Sequence, residues 1–315
     1  MQVFEDVSQI PADFGPSAVT IGKFDGVHAG HRAVLDALEA VATRQGLVSS
    51  VVTFDRNPLS LLNPAACPES LTSGEKKLEL LAAAGVGATL VVAFDRAFSE
   101  LAPEAFVSRI LVDGLHARVV FVGADFRFGA RGRGNVDLLT ELGRAGGFEV
   151  RQIPELTAGE GHARRASSTW IRELLEAGDV VDATIPLGRR HTIRSTVVHG
   201  EQRGRELGYP TANLNPDIEG FIPRDGVYAA WATVRAGRFG AAVSIGNNPT
   251  FEGVPQKQVE AHLLDAALDL YGGPIELEFV DYVRPMNRFE SAEALAKQMR
   301  ADEDRIREIL GVPRP

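Results

Sequence analysis

Gly22-Lys23-Phe24-Asp25-Gly26-Val27-His28-Ala29-Gly30-His31 stands between the apolar, β-branched run Ser17 to Ile21 and a segment in which Val34, Leu35, Leu38, Val41 and Ala42 recur at helical spacing. The three pieces read as strand, glycine turn and helix. In such a unit glycine lets the backbone approach a ligand closely, and the unpaired N–H groups of the helix start favour an anion. His28 and His31 fall in or beside the first turn, three residues apart. An imidazole donates to phosphoryl oxygens without the permanent charge of Lys or Arg. The same spacing also fits a plain βα turn, with one histidine capping the helix and the other on its solvent face; this stretch alone leaves both readings open.

Working outward, Leu47 to Phe54 is an apolar run that ends at Asp55-Arg56-Asn57-Pro58, where proline stops a strand. Ser73-Gly74-Glu75-Lys76-Lys77-Leu78 opens a helix through about Ala84, Ala88 to Phe94 reads as strand, Pro103 to Leu111 as helix and His116 to Val122 as strand. This alternation predicts a parallel sheet covered on both faces, with ligands bound outside the carboxyl ends of the strands at a topological switch point. A third polar strand end, Gly123-Ala124-Asp125-Phe126-Arg127-Phe128-Gly129 with Arg131, Gly132, Arg133 and Gly134 behind it, mixes aromatics, cations and glycine. It fits a site for a flat ring and a phosphate together, and equally a hairpin or loop whose arginines are solvated. Ser167-Ser168-Thr169 precedes a helix over Trp170 to Ala177 that Gly178 ends. Hydroxyls there serve as caps, but Arg172 in the first turn opposes the helix dipole, which an anion bound there would explain.

Alternation of helix and strand stops near Val181 to Leu187. Thr192–Val198, Gly226–Val234, Phe239–Ile245, Val259–Leu264 and Ile275–Val283 then follow as short strands, the pattern of an antiparallel barrel. A terminal helix over Ala292 to Leu310 carries Leu295, Ala296, Met299, Ile306 and Leu310 on one side. The glycine-spaced basic loop from Gly200 to Gly208 can wrap phosphates. Thr211 and Asn213 in Pro210-Thr211-Ala212-Asn213 offer two neutral oxygens suited to Mg²⁺ shared with nucleotide phosphates. In Val259-Glu260-Ala261-His262-Leu263, alternation puts Glu260 and His262 together on one face, either as chemistry or as the wet side of a strand.

Composition sets outer bounds. The chain has 315 residues, long enough for two domains, with 44% hydrophobic and 24% charged residues as in ordinary globular protein. A net charge of −9 argues against a partner held by nonspecific attraction to nucleic acid and leaves small molecules as the expected partners. Cys67 is the one cysteine, so an intrachain disulfide and a multi-thiolate zinc site are both excluded. Met1 to Ile10 has no basic segment leading into an apolar one, and no run has the length of a membrane span. The reading is therefore a cytoplasmic protein with no membrane partner; homo-oligomerisation is left open.

His28-Ala29-Gly30-His31 together with Ser167-Ser168-Thr169-Trp170-Ile171-Arg172 resembles the paired signatures of the nucleotidyltransferase superfamily. Class I aminoacyl-tRNA synthetases share the first signature, but their lysine-rich second one is absent. Gly22 to His31 with Val122 to Gly129 looks like the FMN adenylyltransferase module of prokaryotic FAD synthetases, with Asn57 standing where that family often has histidine. Gly200 to Asn213, Ser244-Ile245-Gly246-Asn247-Asn248-Pro249-Thr250-Phe251, Glu260, Tyr271-Gly272, Arg284-Pro285 and Phe289 resemble the riboflavin kinase module in order and spacing. The whole chain thus resembles the bifunctional riboflavin kinase/FMN adenylyltransferase family.

The resemblance implies an α/β fold: a Rossmann-like nucleotidyltransferase sheet over residues 1–186 and a riboflavin kinase-like barrel with a terminal helix over 187–315. It implies ATP, Mg²⁺, riboflavin, FMN and FAD as substrates, metal and products. Glu260 would be the kinase base, with Thr211 and Asn213 on Mg²⁺ and Gly200, Gly204, Arg205, Gly208 and Asn248 on phosphates. In the first module His28 and His31 would act on the α-phosphate, aided by Gly22, Phe24, Gly26, Gly30 and Asp125. Ser168, Thr169 and Arg172 would hold pyrophosphate. Phe106, Phe126, Phe128 and Arg284 would border flavin. Two other classes stay open on sequence: a flavin carrier without turnover, which intact His28, His31 and Glu260 argue against, and a transferase that adenylylates or cytidylylates another substrate.

Overall fold

A computed structural model describes residues 1–153, 164–199, 209–247 and 257–314. Gly200, Gly204, Arg205, Gly208 and Asn248 lie outside the described residues. By its internal packing the chain divides into two compact units, Met1–Ser167 and Ser168–Pro315.

The first unit is built on a six-stranded, all-parallel sheet of β1 (Gln2–Phe4), β2 (Ser17–Ile21), β3 (Val48–Phe54), β4 (Ala88–Val92), β5 (Ala117–Gly123) and β6 (Glu149–Ile153). Their spatial order is β1-β4-β3-β2-β5-β6, so the chain reverses direction across the sheet between β2 and β5. Every residue of β2 is buried. Val19 and Ile21 join one core layer with Leu90, Val120 and Leu139, while Ala18 joins the other with Val51, Val119 and Phe121. Helix α1 (Ala29–Gln45) supplies Leu35, Leu38, Val41 and Ala42 to that second layer, at the helical spacing read in the sequence, and ends at Gly46 in the left-handed conformation. Helix α2 (Gly74–Ala83) is capped by Ser73, whose hydroxyl accepts the Lys76 N–H at 3.1 Å.

Pro103 to Leu111 departs from the simple helix the sequence suggests. After one α turn at Pro103–Phe106 the backbone widens into a π-helix over Val107–Val112. Asp113 N–H donates to Ser108 O at 2.8 Å and Leu115 N–H to Ile110 O at 2.9 Å, both across five residues. The wider turn brings Phe106, Val107, Ile110 and Leu111 all into the core.

The second unit opens with helix α4, named after α3 (Val136–Gly146) of the first. α4 spans Ser168–Ala177, starting two residues earlier than the sequence suggests, and Gly178 ends it at a φ of 88°. It belongs to this unit because Leu175 O accepts the Arg224 N–H at 2.9 Å. Six strands then close an antiparallel barrel: β7 (Thr192–Val198), β8 (Ala212–Leu214), β9 (Gly226–Val234), β10 (Gly237–Asn247), β11 (Lys257–Leu263) and β12 (Pro274–Arg284), in the order β10-β11-β8-β7-β12-β9. Alternation holds along β11, where Val259, Ala261 and Leu263 are buried and Glu260 and His262 half-buried. Helix α5 (Ala292–Leu310) lays Ile306 over Val227, Ala229 and Leu264, so β9 is covered on both faces. Gly240 permits this approach, since a Cβ there would meet Leu264 and Leu310 side chains at 3.1 Å.

His191 is sealed at one end of this barrel, 2% exposed, with a ring nitrogen donating to Phe221 O at 2.6 Å and its ring parallel to that of Phe279 at 6.0 Å. Burial, only partly offset by that hydrogen bond, pushes its pKa down to about 4. The unfolded chain takes up a proton near the ordinary value of 6.5 while the folded one does not. Stability is therefore full above about pH 6.5 and lost as pH falls toward 4, by up to about 3 kcal/mol. Trp170 and Trp231, the two tryptophans, both lie in this unit and report its unfolding. The urea midpoint followed by their fluorescence should drop between pH 7 and 5, and His191→Gln, which keeps an N–H for Phe221, should flatten that slope. Equal slopes in both proteins would assign the acid loss to other groups.

Candidate active sites

The loops after β2 and β5 meet at the switch point of the sheet, where they line a cleft of about 240 Å³. The turn after β2 is bound tightly. Gly22 N–H donates to Val52 O at 3.0 Å, Thr53 Oγ1 donates to Lys23 O at 3.2 Å, and Asp25 Oδ1 accepts the Leu71 N–H at 2.8 Å. Phe24 and Val27 hold positive φ angles of 49° and 38°, beside Gly26 at 80°. That backbone is costly for non-glycine residues, and here burial of both side chains, each 2% exposed, offsets it. The consequence is that His28 arrives at the N-cap of α1.

His28 Nδ1 accepts the His31 N–H at 3.3 Å, and the two imidazoles stack at 3.7 Å with 15° between their planes. Gly30 makes room, because a Cβ there would meet the His28 ring at 3.2 Å and Ala166 O at 3.3 Å. Of the two readings of the sequence, the capping half is realised, but His31 does not face solvent: its Nδ1 is shut away from water and has no hydrogen-bond partner among the described residues. Burial first, then His28, Arg165 and Lys23, holds the His31 pKa well below the ordinary histidine value. Both rings line the cleft with Gly22, Phe24, Asp125 and Phe126.

The loop after β5 folds back on itself through a two-way backbone bridge between Phe128 and Gly134, at 3.2 and 2.9 Å. Gly134 is required there, since a Cβ would meet the Phe128 ring at 2.6 Å. The hairpin half of that reading is thus realised, with Arg127, Arg131 and Arg133 exposed. Phe128 and Phe106 are buried, and Phe126, stacked on Phe128 at 5.5 Å, is the aromatic that reaches the cleft. Asn57 Oδ1 accepts the Leu59 N–H at 3.1 Å and starts a short helical turn.

Sequence reasoning missed two cations of this unit. Arg165 lines the cleft, and Lys77 donates to Phe54 O at 2.8 Å, its pKa lowered by burial against the pull of Asp25 and Asp55. The pair Arg164-Arg165 just before Ser167 was the available signal for the first. Ser167 lines the cleft and α4 starts at the next residue, so Ser168, Thr169 and Arg172 occupy the first turn and a half of that helix.

On the barrel, β-pairing places Glu260 opposite Asn213 of β8 on one side and Ser244 of β10 on the other, one row of half-buried side chains. Thr211, two residues before Asn213, lines a cavity of about 540 Å³ bounded by Ala212, Ala261, Leu263 and the segment Ala266–Tyr271. The Tyr271 ring stacks on His199 at 3.8 Å. His262 donates a ring N–H to Pro210 O at 2.9 Å, fixing the residue before Thr211. Arg284 forks onto Asp302 with Nε at 2.9 Å and Nη2 at 2.7 Å, donates to Pro285 O, and lies 5.7 Å from the Phe289 ring. No group of three His, Cys, Asp or Glu side chains converges among the described residues.

A histidine-lined cleft at the switch point of a doubly wound sheet, followed in the same chain by a closed barrel that sets Glu260 opposite Asn213, gives two separate candidate sites, the layout of a two-part transferase. A family model for FAD synthetase matches residues 10–169 and one for riboflavin kinase matches 187–310. The chain belongs to the bifunctional riboflavin kinase/FMN adenylyltransferase family. It is 37% identical to the Escherichia coli K12 member, covering 98% of this chain and 97% of that one. It is likewise 37% identical to the Listeria monocytogenes member, over 92% and 91%. A solved structure from Streptococcus pneumoniae, described as a macrolide-efflux protein, superposes with a TM-score of 0.84 at 28% identity, covering 97% and 98% of the two chains. Among the described residues no helix is long and apolar enough to cross a membrane.

Proposed function

We propose that Glu260 and the His28/His31 pair carry the two reactions of this riboflavin kinase and FMN adenylyltransferase. The barrel phosphorylates riboflavin to FMN with ATP, and the first module adenylylates FMN to FAD with a second ATP, releasing pyrophosphate. The observation that carries the residue assignment is the tautomer imposed on His28. Because Nδ1 accepts the cap hydrogen bond, the ring proton sits on Nε2, on the far side of the ring, as a donor.

In the adenylylation, an FMN phosphate oxygen attacks the α-phosphorus of ATP and the bond to the pyrophosphate oxygen breaks. The nucleophile is already ionised at neutral pH, so the protein's task is to stabilise charge on the α-phosphate. His28 Nε2–H, His31 and the free N–H groups of α1 serve this, with the turn Gly22, Phe24, Gly26 and Gly30 keeping the backbone close. Asp125 is assigned to the nucleotide, and Ser168, Thr169 and Arg172 to pyrophosphate. Phe126 borders the flavin, backed by the buried Phe128 and Phe106.

In the kinase step Glu260 takes the proton of the ribityl 5′-hydroxyl as its oxygen attacks the γ-phosphorus, and ADP leaves. Thr211 and Asn213 are the residues that would hold Mg²⁺, which when bound neutralises charge on the phosphates; two neutral oxygens beside a carboxylate suit that hard cation. The cavity reached from Thr211, with Tyr271 as a flat wall, takes the ATP. Gly200, Gly204, Arg205, Gly208 and Asn248 are assigned to its phosphates. Arg284 belongs to the flavin side of the barrel, through the Pro285 to Phe289 segment its guanidinium holds. The partners are these small molecules, with no nucleic acid and no membrane, and the reading draws each site from one chain working in the cytoplasm.

We divide the catalytic modules at 186/187, nineteen residues beyond the packing boundary, because both nucleotidyltransferase signatures lie before that point and the kinase-like features after it. Fragments 168–315 and 187–315 should both convert riboflavin to FMN and neither should make FAD. Kinase activity in the longer fragment alone would move the boundary to 167/168.

Glu260→Gln keeps shape and removes the proton acceptor, a loss that typically costs ~10² to 10⁴ in rate. FMN formation should fall by that order while adenylylation of supplied FMN survives; equal losses in both steps would point to a folding defect.

For the first module, His28→Ala should cut FAD formation from supplied FMN by about 10² to 10³, the usual loss for one donor to a developing oxyanion. Losing the cap costs about 1 kcal/mol of stability as well. His28→Asn separates the two, since Asn caps well but cannot present the far-side N–H. It should recover the melting temperature and leave FAD formation low. Recovered activity in His28→Asn would reduce His28 to a cap and remove it from the chemistry.

A further inference from the structure

Arg307, in the last turn of α5, is 7% exposed at its side chain, yet its guanidinium is fully engaged. Nε donates to Glu303 at 3.0 Å, Nη1 to Asp265 and to Pro313 O at 2.9 Å each, and Nη2 to Asp265 at 2.6 Å and Glu303 at 2.7 Å. These contacts use all five guanidinium N–H donors. Glu303 and Pro313 lie on α5 or its C-terminal extension, so the partner that leaves this neighbourhood in sequence is Asp265, forked by two parallel bonds.

Asp265 opens the segment that walls the barrel cavity. Leu263 lines that cavity, Leu264 is pinned under Ile306 of α5, Asp265 turns the chain at a φ of 57°, and Ala266 to Tyr271 form the wall. The far end of the wall is tied to β7, with Gly272 N–H donating to Val197 O at 2.8 Å and Val197 N–H to Gly273 O at 2.9 Å. The side chains between are mostly apolar and none is buried: Leu268 is 42% and Tyr271 41% exposed. A short wall with little packing of its own takes its position from its two ends. One end is strand pairing and the other is the Arg307 fork.

We infer that Arg307 is a positioning residue of the kinase: through Asp265 it sets the cavity wall Ala266–Tyr271, and so ATP affinity, without touching substrate. This rests on the reading that ATP occupies that cavity. A bidentate Arg–carboxylate pair fixes direction as well as distance, which a lysine in its place does not.

The test uses the full chain, with KM for ATP, KM for riboflavin, kcat of FMN formation, FAD formation from supplied FMN, and melting temperature. Asp265→Asn is the gentle variant, because Asn tolerates the left-handed conformation while losing the charge and one acceptor of the fork. It should raise KM for ATP about 3- to 10-fold, in the lower part of the range of coupling for residues in one network. The kcat, the riboflavin KM and FAD formation from FMN should stay as they were. Arg307→Lys should raise KM for ATP similarly, and the double variant should cost no more than either alone. Tyr271→Ala, which removes the flat wall itself, tests the underlying reading and should also raise KM for ATP. If Tyr271→Ala raises it and Asp265→Asn does not, the fork is only a strap and the inference fails while the cavity assignment stands. If neither moves it, the cavity does not hold ATP and both fall. A lowered melting temperature in Asp265→Asn with unchanged KM likewise overturns the inference.

Discussion

The backbone of the turn after β2 is the constraint on which the first candidate site depends. Two bulky residues, Phe24 and Val27, stand in the left-handed region, and only the burial of their side chains in the core beneath makes that conformation tenable. With both pointing inward, the chain has a single way to enter α1, and that entry delivers His28 to the cap and His31 beneath it. Core packing and site geometry are therefore one fact here. Loosening Phe24 would release the histidines as surely as replacing them.

The barrel solves the same problem by register. Once Val259, Ala261 and Leu263 are committed to the interior, Glu260 must face out, and antiparallel pairing fixes Asn213 and Ser244 as its neighbours. A slip of one residue would bury the carboxylate and expose the core, so the hydrophobic interior enforces the placement of Glu260. Helix α5 then covers the one flank where β9 presents apolar side chains outward, and its Asp302 and Arg307 fasten the ends of β12 and β11.

How much of this could be read from the chain follows from where the determining forces are local. β2, α1, most barrel strands and the terminal helix announce themselves, because each carries an uninterrupted apolar period bounded by turn residues. β6 does not, since Glu149-Val150-Arg151-Gln152-Ile153 sits at the sheet edge with only partial burial and needs little apolar sequence. β8 is three residues long and exists through its partners on both sides. The π-turn at Val107–Val112 is invisible to periodicity because its sequence fits an ordinary helix and only the core decides which register wins. Of the sites, the histidines and Glu260 were legible as residue types at meaningful spacing. Arg165 and the wall Ala266–Tyr271 were not, since what brings them to a cleft and a cavity is tertiary folding.

Why histidine should stand at position 28 can be argued from what the cap demands. The cap needs an acceptor aimed back at the His31 N–H, and the chemistry proposed for this cleft needs a donor aimed outward at an anion, from one rigid side chain. Lys and Arg carry donors only and cannot cap; Ser and Asp cap well but present nothing firm on the far side. A neutral imidazole has one nitrogen for each task, held at opposite edges of a plane, and the stacked His31 ring fixes that plane. The arrangement also forbids charging His28 at Nδ1 without losing the cap, while burial keeps His31 neutral below the ordinary histidine range. Positive potential around the two rings then comes from the N-terminus of α1 and from Arg165 and Lys23, and in the proposed chemistry the rings contribute direction. Stability at the helix start and the proposed phosphate chemistry thus call for the same protonation state.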